Sequence, residues 1–311
     1  MKIHRGVENL PYINNPVLTI GTYDGVHLGH KMILNRIQDI ADSIDGESVM
    51  LTFVPHPRLV LYPHNPLFLI STLEEKLSLL SRLGLDHVVI MPFTKEFSSI
   101  TAEDYIEKVL VDNIHPSYIV VGYDHRFGRE RKGDMQMLQQ YSEKYHYKVE
   151  EIPAQTIDDI SVSSTKVRQA VMEGNIKEAN ILLAHPYSIS GTVVHGDKLG
   201  RTIGFPTANI SVSKHKLIPA LGVYACIVEI RERKYMGALS ISYRPTVTAS
   251  RDLRIEVYIL DFDGDIYDQE INLILYEKIR EDKKFDSLAI MTAAIDDDVM
   301  KVRQILTSML S

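Results

Sequence analysis

The sequence contains a single cysteine, Cys226, which lies in an apolar, strand-like run. With no second cysteine, an intrachain disulfide is excluded, and we expect a reducing compartment. No apolar run is long enough to cross a bilayer, and residues 1–6 lack the apolar core of a signal peptide. A net charge of −7 gives no reason to expect nucleic acid as a partner. These absences favour a cytoplasmic enzyme without membrane or nucleic-acid partners, and 311 residues are enough for two domains.

The most informative stretch is residues 21–30, which read G-T-Y-D-G-V-H-L-G-H. It follows a short apolar run and leads into residues 31–44, whose apolar positions have helical spacing. Glycines let a backbone approach a ligand closely, and the free N–H groups at a helix N-terminus attract phosphate. His27 and His30 add donors that can share charge developing on a transferring phosphoryl group.

Two histidines at a helix start could also do no more than cap the helix. The flanking glycines and the preceding strand favour a nucleotide site instead. The pattern H-x-G-H between strand and helix is typical of nucleotidylyltransferases, which join the α-phosphate of ATP to an acceptor phosphate. The sequence therefore predicts a nucleotide site at this turn.

The first half of the chain alternates between strand and helix patterns. Strands are predicted at 17–20, 48–53, 87–91, 118–121 and 148–152, and helices near 31–44, 73–83, 102–111 and 135–145. This alternation predicts a Rossmann-like α/β domain with a parallel sheet. Polar clusters at 53–57, 121–128 and 163–168 follow predicted strands or precede a helix. Each alone could be a turn or an N-cap, but together they predict one ligand-binding sheet edge.

The pattern changes after Pro186 to closely spaced strands, which predicts a small antiparallel barrel. These strands are expected at 188–194, 222–230, 235–241, 254–260 and 271–276. A final helical stripe from Leu288 to Met309 is expected to pack on the barrel. The domains predicted are residues 1–184 and 185–311, with no internal repeat or low-complexity linker between them.

A second glycine-rich constellation occupies residues 191–209. Gly196, Gly200 and Gly204 suit a phosphate-wrapping loop, with Lys198 and Arg201 as candidate cations. Thr207 and Asn209 offer neutral oxygens two residues apart, a plausible partial set for Mg²⁺ beside nucleotide oxygens and waters. A glycine-rich hairpin with a Pro-Thr turn fits the composition equally well. The stretch is not a Walker A loop, because G-x-x-x-x-G-K-[ST] is absent.

Over nearly its whole length the chain resembles the prokaryotic bifunctional riboflavin kinase/FAD synthetase family. Residues 21–30 are similar to the family's G-x-F-D-G-V-H-x-G-H, with Tyr23 for the usual Phe. Residues 200–209 are similar to G-R-x-I-G-F-P-T-A-N, which is highly specific to the kinase module. Further similar segments are 163–168 (I-S-S-T-x-I-R), 254–267 (the catalytic-Glu strand and D-F-D-G-D-L-Y) and 279–285 (L-R-x-E-x-K-F).

The resemblance implies two reactions. In the C-terminal kinase, the γ-phosphoryl group of ATP passes to the ribityl 5′-hydroxyl of riboflavin, with Glu256 as the base and Thr207 and Asn209 at the Mg²⁺ and phosphate positions. Without the resemblance, Glu256 would be taken for an outward-facing residue of a half-buried strand. In the N-terminal adenylyltransferase, FMN joins ATP with release of pyrophosphate, and His27 and His30 help to neutralise the phosphates.

The remaining implied site residues fall into two sets. The nucleotide-binding set is Gly21, Tyr23, Gly29, Ser164, Thr165, Arg168, Gly196, Lys198, Gly200, Arg201 and Gly204. The flavin-binding set is His56, Asp124, Arg244 and Arg280. Riboflavin, FMN and FAD are expected as substrates or products, with Mg²⁺ and ATP, in a monomer or weak homo-oligomer.

The chain departs from the family pattern at positions that concern the flavin. Ser240 and Ser242 replace the Asn and Gly of N-x-G-x-R-P-T, and His125 replaces a Phe. Residues 183–187 read L-A-H-P-Y instead of L-G-R-P-Y. Two alternatives therefore stay open: a flavin- or nucleotide-binding homologue with one activity weakened or lost, and a nucleotidylyltransferase for another phosphorylated acceptor. The second alternative leaves the barrel unexplained.

Overall fold

The computed structural model describes residues 1–65, 67–153, 162–196, 200, 204–243 and 253–310, with side chains up to residue 307. The chain forms two compact units. The N-terminal unit comprises residues 1–68 and 76–163, and the barrel unit comprises residues 69–75 and 164–311. The functional boundary at residue 184 stays a prediction.

A six-stranded parallel sheet forms the centre of the N-terminal unit, which confirms the predicted α/β class. The strands are β1 (Lys2–Arg5), β2 (Val17–Ile20), β3 (Ser48–Val54), β4 (His87–Pro92), β5 (Tyr118–Gly122) and β6 (Lys148–Ile152). Their spatial order is β1-β4-β3-β2-β5-β6. The sequence patterns missed β1, because its residues K-I-H-R are mostly exposed at an edge of the sheet and contain no apolar run.

Helices connect these strands, and the longer ones bury apolar residues at helical spacing. They are α1 (Leu28–Ser43), α2 (Pro57–Leu61), α3 (Leu73–Arg82), α4 (Lys95–Ser98), α5 (Ala102–Asp104), the π-helical segment Tyr105–Val111, α6 (Asp112–Ile114) and α7 (Met135–Tyr145). Helix α1, for example, buries Ile33, Ile37 and Ile40. Helix α3 belongs to the N-terminal unit from Lys76 onward.

The strand order reverses between β2 and β5, which lie side by side and parallel, with Val17 opposite Tyr118. In open α/β sheets, ligands bind beyond the carboxyl ends of the strands at such a switch point. Residues 21–30 follow β2, and residues 123–128 follow β5. The sheet topology therefore brings two of the predicted polar clusters to the edge where a ligand is expected.

The barrel unit contains a closed antiparallel barrel, as predicted. Its strands are β7 (Tyr187–Val194), β8 (Thr207–Val212), β9 (Gly222–Ile230), β10 (Arg233–Tyr243), β11 (Leu253–Ile259) and β12 (Glu270–Arg280), in the order β10-β11-β8-β7-β12-β9. Strand β8 was not predicted, because it lies inside the stretch interpreted as a phosphate loop. Alternate residues such as Ile255, Val257 and Leu239 fill the interior.

The described part of the barrel unit also contains the helices α8 (Ser164–Met172), α9 (Ile176–Leu183) and α10 (Leu288–Leu310). Val167 of α8 and Leu183 of α9 are fully buried in the same apolar cluster as the barrel interior. Val302 and Leu306 of α10 are fully buried against outer-face residues of the barrel, so the predicted packing of the last helix is confirmed there. At the N-terminal end of α10 the apolar stripe is exposed to solvent, since Leu288 is 61% exposed.

Across the described residues, none of the helices combines the length and the apolar character that a membrane span requires.

Candidate active sites

The loop after β2 is tightly turned, as the glycine pattern predicts. Tyr23, Gly25 and Val26 all have left-handed backbone conformations, with φ of 48°, 84° and 43°. A Cβ at Gly21 would lie 2.7 Å from the ring of Tyr23, so this position has no room for a side chain. The buried hydroxyl of Tyr23 is 2.6 Å from Oγ1 of Thr19 in β2, which fixes the ring against the sheet.

The two histidines of the loop come together, as the motif predicts. Their rings stack with centroids 3.6 Å apart and planes 15° apart, and the ring of Tyr23 lies 4.6 Å from that of His30. His27 is also the N-cap of α1, because its Nδ1 accepts a hydrogen bond of 3.4 Å from the backbone N–H of His30. The capping interpretation is therefore correct for His27, and it does not exclude a role toward phosphate.

One ring nitrogen of His30 makes no hydrogen bond within the described residues. This nitrogen, Nδ1, is buried. Burial of the ring lowers the pKa of His30 well below its ordinary value, and the nearby His27 and Lys76 lower it further. The imidazole is therefore neutral at physiological pH and offers one donor and one acceptor nitrogen.

Sequence reasoning missed a third residue of this site, Lys76 of α3. Its Nζ donates to the carbonyl oxygen of Thr22 (3.0 Å) and to Oγ1 of Thr52 (2.9 Å). Burial lowers the pKa of Lys76 to about 8, while the carboxylate of Asp24 acts in the opposite direction. Residue spacing could have indicated that Lys76 is buried, because it lies one helical turn before the buried Leu80 and therefore on the apolar face of α3.

The flavin candidates of the N-terminal unit lie after strands β3 and β5. His56 caps α2, with its Nδ1 accepting from the backbone N–H of Arg58 at 3.2 Å, and Asp124 is exposed. His125 stacks on Phe127 with centroids 5.7 Å apart, and its buried Nε2 has no hydrogen-bond partner among the described residues. Burial, followed by the charges of Arg131 and Arg126, lowers the pKa of His125 to about 4.

Ser164, Thr165 and Arg168 lie at the start of α8 in the barrel unit. Ser164 and Arg168 are half-buried, and Thr165 is exposed. The capping interpretation and the phosphate interpretation both remain compatible with this placement. That these residues share one site with the two histidines stays a prediction.

Strand pairing in the barrel brings three predicted kinase residues together. Glu256 of β11 lies directly opposite Asn209 of β8, and Tyr258 lies opposite Thr207. Directly paired residues point to the same face of a sheet, and Ile255 and Val257 point inward. Glu256, Asn209 and Thr207 therefore share the outer face of the barrel. The carboxylate of Glu256 lies 3.6 Å from Nη1 of Arg254, and its side chain is 23% exposed.

Two glycines of the second constellation pack directly against β8 and the residues before it, without room for a side chain of their own. A Cβ at Gly196 would lie 2.1 Å from Nδ2 and 2.7 Å from Oδ1 of Asn209. A Cβ at Gly200 would lie 2.2 Å from the carbonyl oxygen of Phe205 and 3.4 Å from Oγ1 of Thr207. Gly204 has a left-handed φ of 87°. The predicted residues Lys198, Arg201 and Arg244 lie outside the described residues.

The two oxygens on β8 suit a hard cation that also binds phosphate oxygens. Within the described parts of the chain, no group of three His, Cys, Asp or Glu side chains could hold a metal ion alone. Asn209 and Thr207 could contribute two neutral oxygens to a Mg²⁺ ion, with nucleotide oxygens completing its coordination.

Arg280, predicted to bind flavin, has a structural partner. Its Nε and Nη2 donate to the buried carboxylate of Asp298 in α10 at 2.8–3.1 Å, and its guanidinium lies 5.5 Å from the ring of Phe285. This bidentate pair joins the end of β12 to α10. The flavin role of Arg280 stays a prediction.

Comparisons with known proteins assign a different family model to each part of the chain. The FAD synthetase model matches residues 11–166, and the riboflavin kinase model matches residues 183–306. A bifunctional riboflavin kinase/FMN adenylyltransferase of Listeria monocytogenes is 38% identical over 290 residues, covering 93% of this chain and 92% of that protein. Its counterpart in Escherichia coli K12 is 36% identical over 307 residues, covering 98% of this chain and 97% of that protein.

A solved structure extends the similarity to the fold. The crystal structure of a macrolide-efflux protein from Streptococcus pneumoniae has a TM-score of 0.87 and 30% identity, covering 97% of this chain and 98% of that one. Efflux is said of that protein alone, whereas both family models and the full-length curated relatives describe flavin enzymes. With the histidine loop at the sheet switch point and Glu256 beside Asn209 on the barrel, this chain belongs to the bifunctional riboflavin kinase/FMN adenylyltransferase family.

Proposed function

We propose that this chain converts riboflavin to FAD in two ATP-dependent steps. The first transfers the γ-phosphoryl group of ATP to riboflavin and yields FMN and ADP. The second transfers the adenylyl group of ATP to FMN and yields FAD and pyrophosphate. The observation that carries the proposal is the pair of family models, one for each activity, that match consecutive parts of one chain. We assign the adenylyltransferase to residues 1–184 and the kinase to residues 185–311.

Glu256 is the proposed base of the kinase. The ribityl 5′-hydroxyl oxygen attacks the γ-phosphorus, the bond between that phosphorus and the β–γ bridging oxygen breaks, and the carboxylate takes the hydroxyl proton. Asn209 supports this role by its position, because it lies directly across the strand pair from Glu256. A base and a phosphate-side oxygen on neighbouring strands are held at a fixed separation by the sheet.

Thr207 and Asn209 are the residues proposed to hold Mg²⁺ together with ATP. When bound, the ion neutralises negative charge on the phosphate oxygens. The side chains supply neutral oxygens, and the lack of a Cβ at Gly196 lets the amide of Asn209 lie directly against the backbone there. Gly204, with Lys198 and Arg201, completes the proposed nucleotide loop of the kinase.

In the adenylyltransferase, a phosphate oxygen of FMN attacks the α-phosphorus of ATP, and pyrophosphate leaves. No covalent enzyme intermediate is required, so positioning and charge stabilisation are the contributions of the protein. His27 and His30 stack at the start of α1, where backbone N–H groups also point outward. The other proposed nucleotide-binding residues are Gly21, Tyr23, Gly29, Ser164, Thr165 and Arg168.

The proposed flavin-binding residues are His56, Asp124, Arg244 and Arg280. We further propose a cytoplasmic enzyme that is a monomer or weak homo-oligomer without nucleic-acid or membrane partners. The net charge of −7 supports the lack of a nucleic-acid partner.

The deciding experiment is an incubation with riboflavin, ATP and Mg²⁺, followed by chromatography for FMN and then FAD. Formation of both in sequence supports the proposal. FMN alone, or neither product, would identify a homologue with one activity or both lost. Substituting other phosphorylated acceptors for FMN tests the remaining alternative.

A fragment of residues 1–184 tests the assignment of activities to domains. We expect it to convert FMN to FAD and to leave riboflavin unchanged. Because Val167 and Leu183 belong to the apolar cluster of the barrel, the fragment should also bind a hydrophobic dye more strongly than the full chain. A soluble fragment that is inert toward FMN and ATP would contradict the assignment.

A further inference from the structure

Lys76 is one of two lysines that are buried among the described residues, with 7% of its surface exposed. The other, Lys216, has an ordinary structural explanation, because its Nζ forms an ion pair of 2.6 Å with the buried carboxylate of Glu75. The hydrogen-bond partners of Lys76 are different in kind. They are a backbone carbonyl and a hydroxyl, and neither carries a charge.

A buried ammonium whose hydrogen-bond partners are both neutral is costly, so its retention requires a reason. The ammonium has three donors, and the carbonyl of Thr22 and Oγ1 of Thr52 use two of them. Thr22 belongs to the glycine-rich loop after β2, and Thr52 belongs to β3. Lys76 therefore ties the loop to the neighbouring strand from the side of α3.

The same ammonium places a positive charge beside the histidine pair. His30 feels it directly, because the charge of Lys76 contributes to the lowered pKa of that histidine. The other titratable groups at this point are Asp24 and His27 from the loop, while Tyr23 from the loop and Thr52 from β3 present hydroxyl groups. His30 is neutral, so the ammonium of Lys76 is a source of positive charge beside it among the residues that the structure describes.

We propose that Lys76 is a positioning residue for adenylyl transfer, which fixes the loop through the Thr22 carbonyl and supplies positive charge beside His27 and His30. This inference rests on the proposed adenylyltransferase activity. A phosphate that binds at the loop favours the protonated amine, so the charge persists when substrate is present. Charge that is already in place when the α-phosphoryl group becomes more negative lowers the barrier without reorganisation.

The inference predicts a specific pH dependence. In the free enzyme the amine loses its proton as the pH rises through about 8, so kcat/KM for ATP should fall above that pH. Replacing Lys76 by Met removes this alkaline limb. It also removes a positive charge next to His30, so the pKa of His30 should rise toward its ordinary value.

The test compares Lys76→Met, Lys76→Arg and the matched buried-lysine control Lys216→Met. We expect Lys76→Met to lower kcat for FMN adenylylation by about 10- to 100-fold and to leave riboflavin phosphorylation unchanged. Lys76→Arg keeps the charge, so it should recover part of the rate and move the alkaline limb to higher pH. Lys216→Met should lower the melting temperature, with the pH profile of adenylylation unchanged.

The histidine C2–H signals in NMR spectra provide a readout that a purely structural role would not move. The resonance assigned by its absence in His30→Ala should titrate at higher pH in Lys76→Met than in the parent. An unchanged adenylylation rate and pH profile in Lys76→Met would overturn the inference, as would an equal loss of both activities. If Lys76→Met fails to fold, the pH profile of Lys76→Arg tests the inference instead, because an alkaline limb that stays at the parent pH would contradict it. If the parent makes no FAD, the proposed function fails, and the His30 titration still decides the placement of the charge.

Discussion

Replacing Glu256 by Gln separates catalysis from folding in the barrel. The substitution keeps the size and shape of the side chain and removes its ability to accept a proton. Glu256 lies on the outer face of β11, opposite Asn209, with its carboxylate 3.6 Å from Nη1 of Arg254. We expect loss of riboflavin phosphorylation with adenylylation of FMN retained.

The two expected free-energy changes differ enough to be distinguished. A part-exposed ion pair of this kind contributes about 0–1 kcal/mol, so the free energy of unfolding should change by no more than that. Loss of a general base costs about 10²–10⁴ in rate, which corresponds to roughly 3–5 kcal/mol of activation free energy. A fall in kinase rate of this size therefore cannot come from partial unfolding.

Glu229 provides a matched control on the same barrel. It lies on β9, with a side chain 21% exposed and a carboxylate oxygen 3.6 Å from Nζ of Lys234, which matches the exposure and cation distance of Glu256. Unlike Glu256 within the described residues, it also accepts a hydrogen bond of 2.9 Å from Nδ2 of Asn272. Both variants are assayed by chromatography of FMN formed from riboflavin and ATP, and their stability is measured by urea unfolding. Glu229→Gln should phosphorylate riboflavin at close to the parent rate. If Glu256→Gln also forms FMN at the parent rate, Glu256 is only a strand residue and the proposed base is wrong.

Three further predictions concern other parts of the two sites. His27→Ala and His30→Ala should each slow FMN adenylylation by about 10²–10³ with little change in FMN affinity. The rate of the double variant should fall by less than the product of the two factors. Near-parent turnover of the single variants at saturating ATP would show that the histidines only cap the helix. Gly196→Ala should displace the side chain of Asn209, since its Cβ would lie 2.1 Å from Nδ2, so kinase turnover should fall while adenylylation stays constant. His125→Phe removes a buried nitrogen without a hydrogen-bond partner and should raise the free energy of unfolding at pH 7 by about 1–3 kcal/mol. Because the folded-state pKa of His125, about 4, lies below the ordinary value, the parent should lose stability as the pH falls from about 6.5 toward 4, and urea unfolding of the variant should show a weaker loss.

Most strands of both units could be predicted, because their apolar runs are long enough to stand out from the surrounding polar residues. The two missed strands show why others could not. Strand β1 has the sequence K-I-H-R and is held by parallel pairing with β4, a partner more than 80 residues away. Strand β8 has the sequence T-A-N-I-S-V, whose polar residues face outward from the barrel, so its pattern resembles a turn.

The same difference between local and long-range contacts explains which residues of the candidate sites could be predicted. The sequence identified His27 and His30, because local spacing alone places both at one helix start. It could not identify Lys76 as their neighbour, because α3 is separated from the loop by more than 40 residues of chain. Similarly, it could not show that Glu256 and Asn209 are directly paired, since strand register depends on closure of the whole barrel.

The periodicities, the glycine-rich turns and the motifs of this family are visible in the sequence, because they depend on residues near one another in the chain. Which side chains share an environment depends instead on how distant elements pack together. The burial of Lys76, the neutral state of His30 and the common outer face of Glu256, Asn209 and Thr207 all arise from elements that are distant in sequence. Their physical basis is desolvation and strand register, which exist only once the sheet and the barrel have formed.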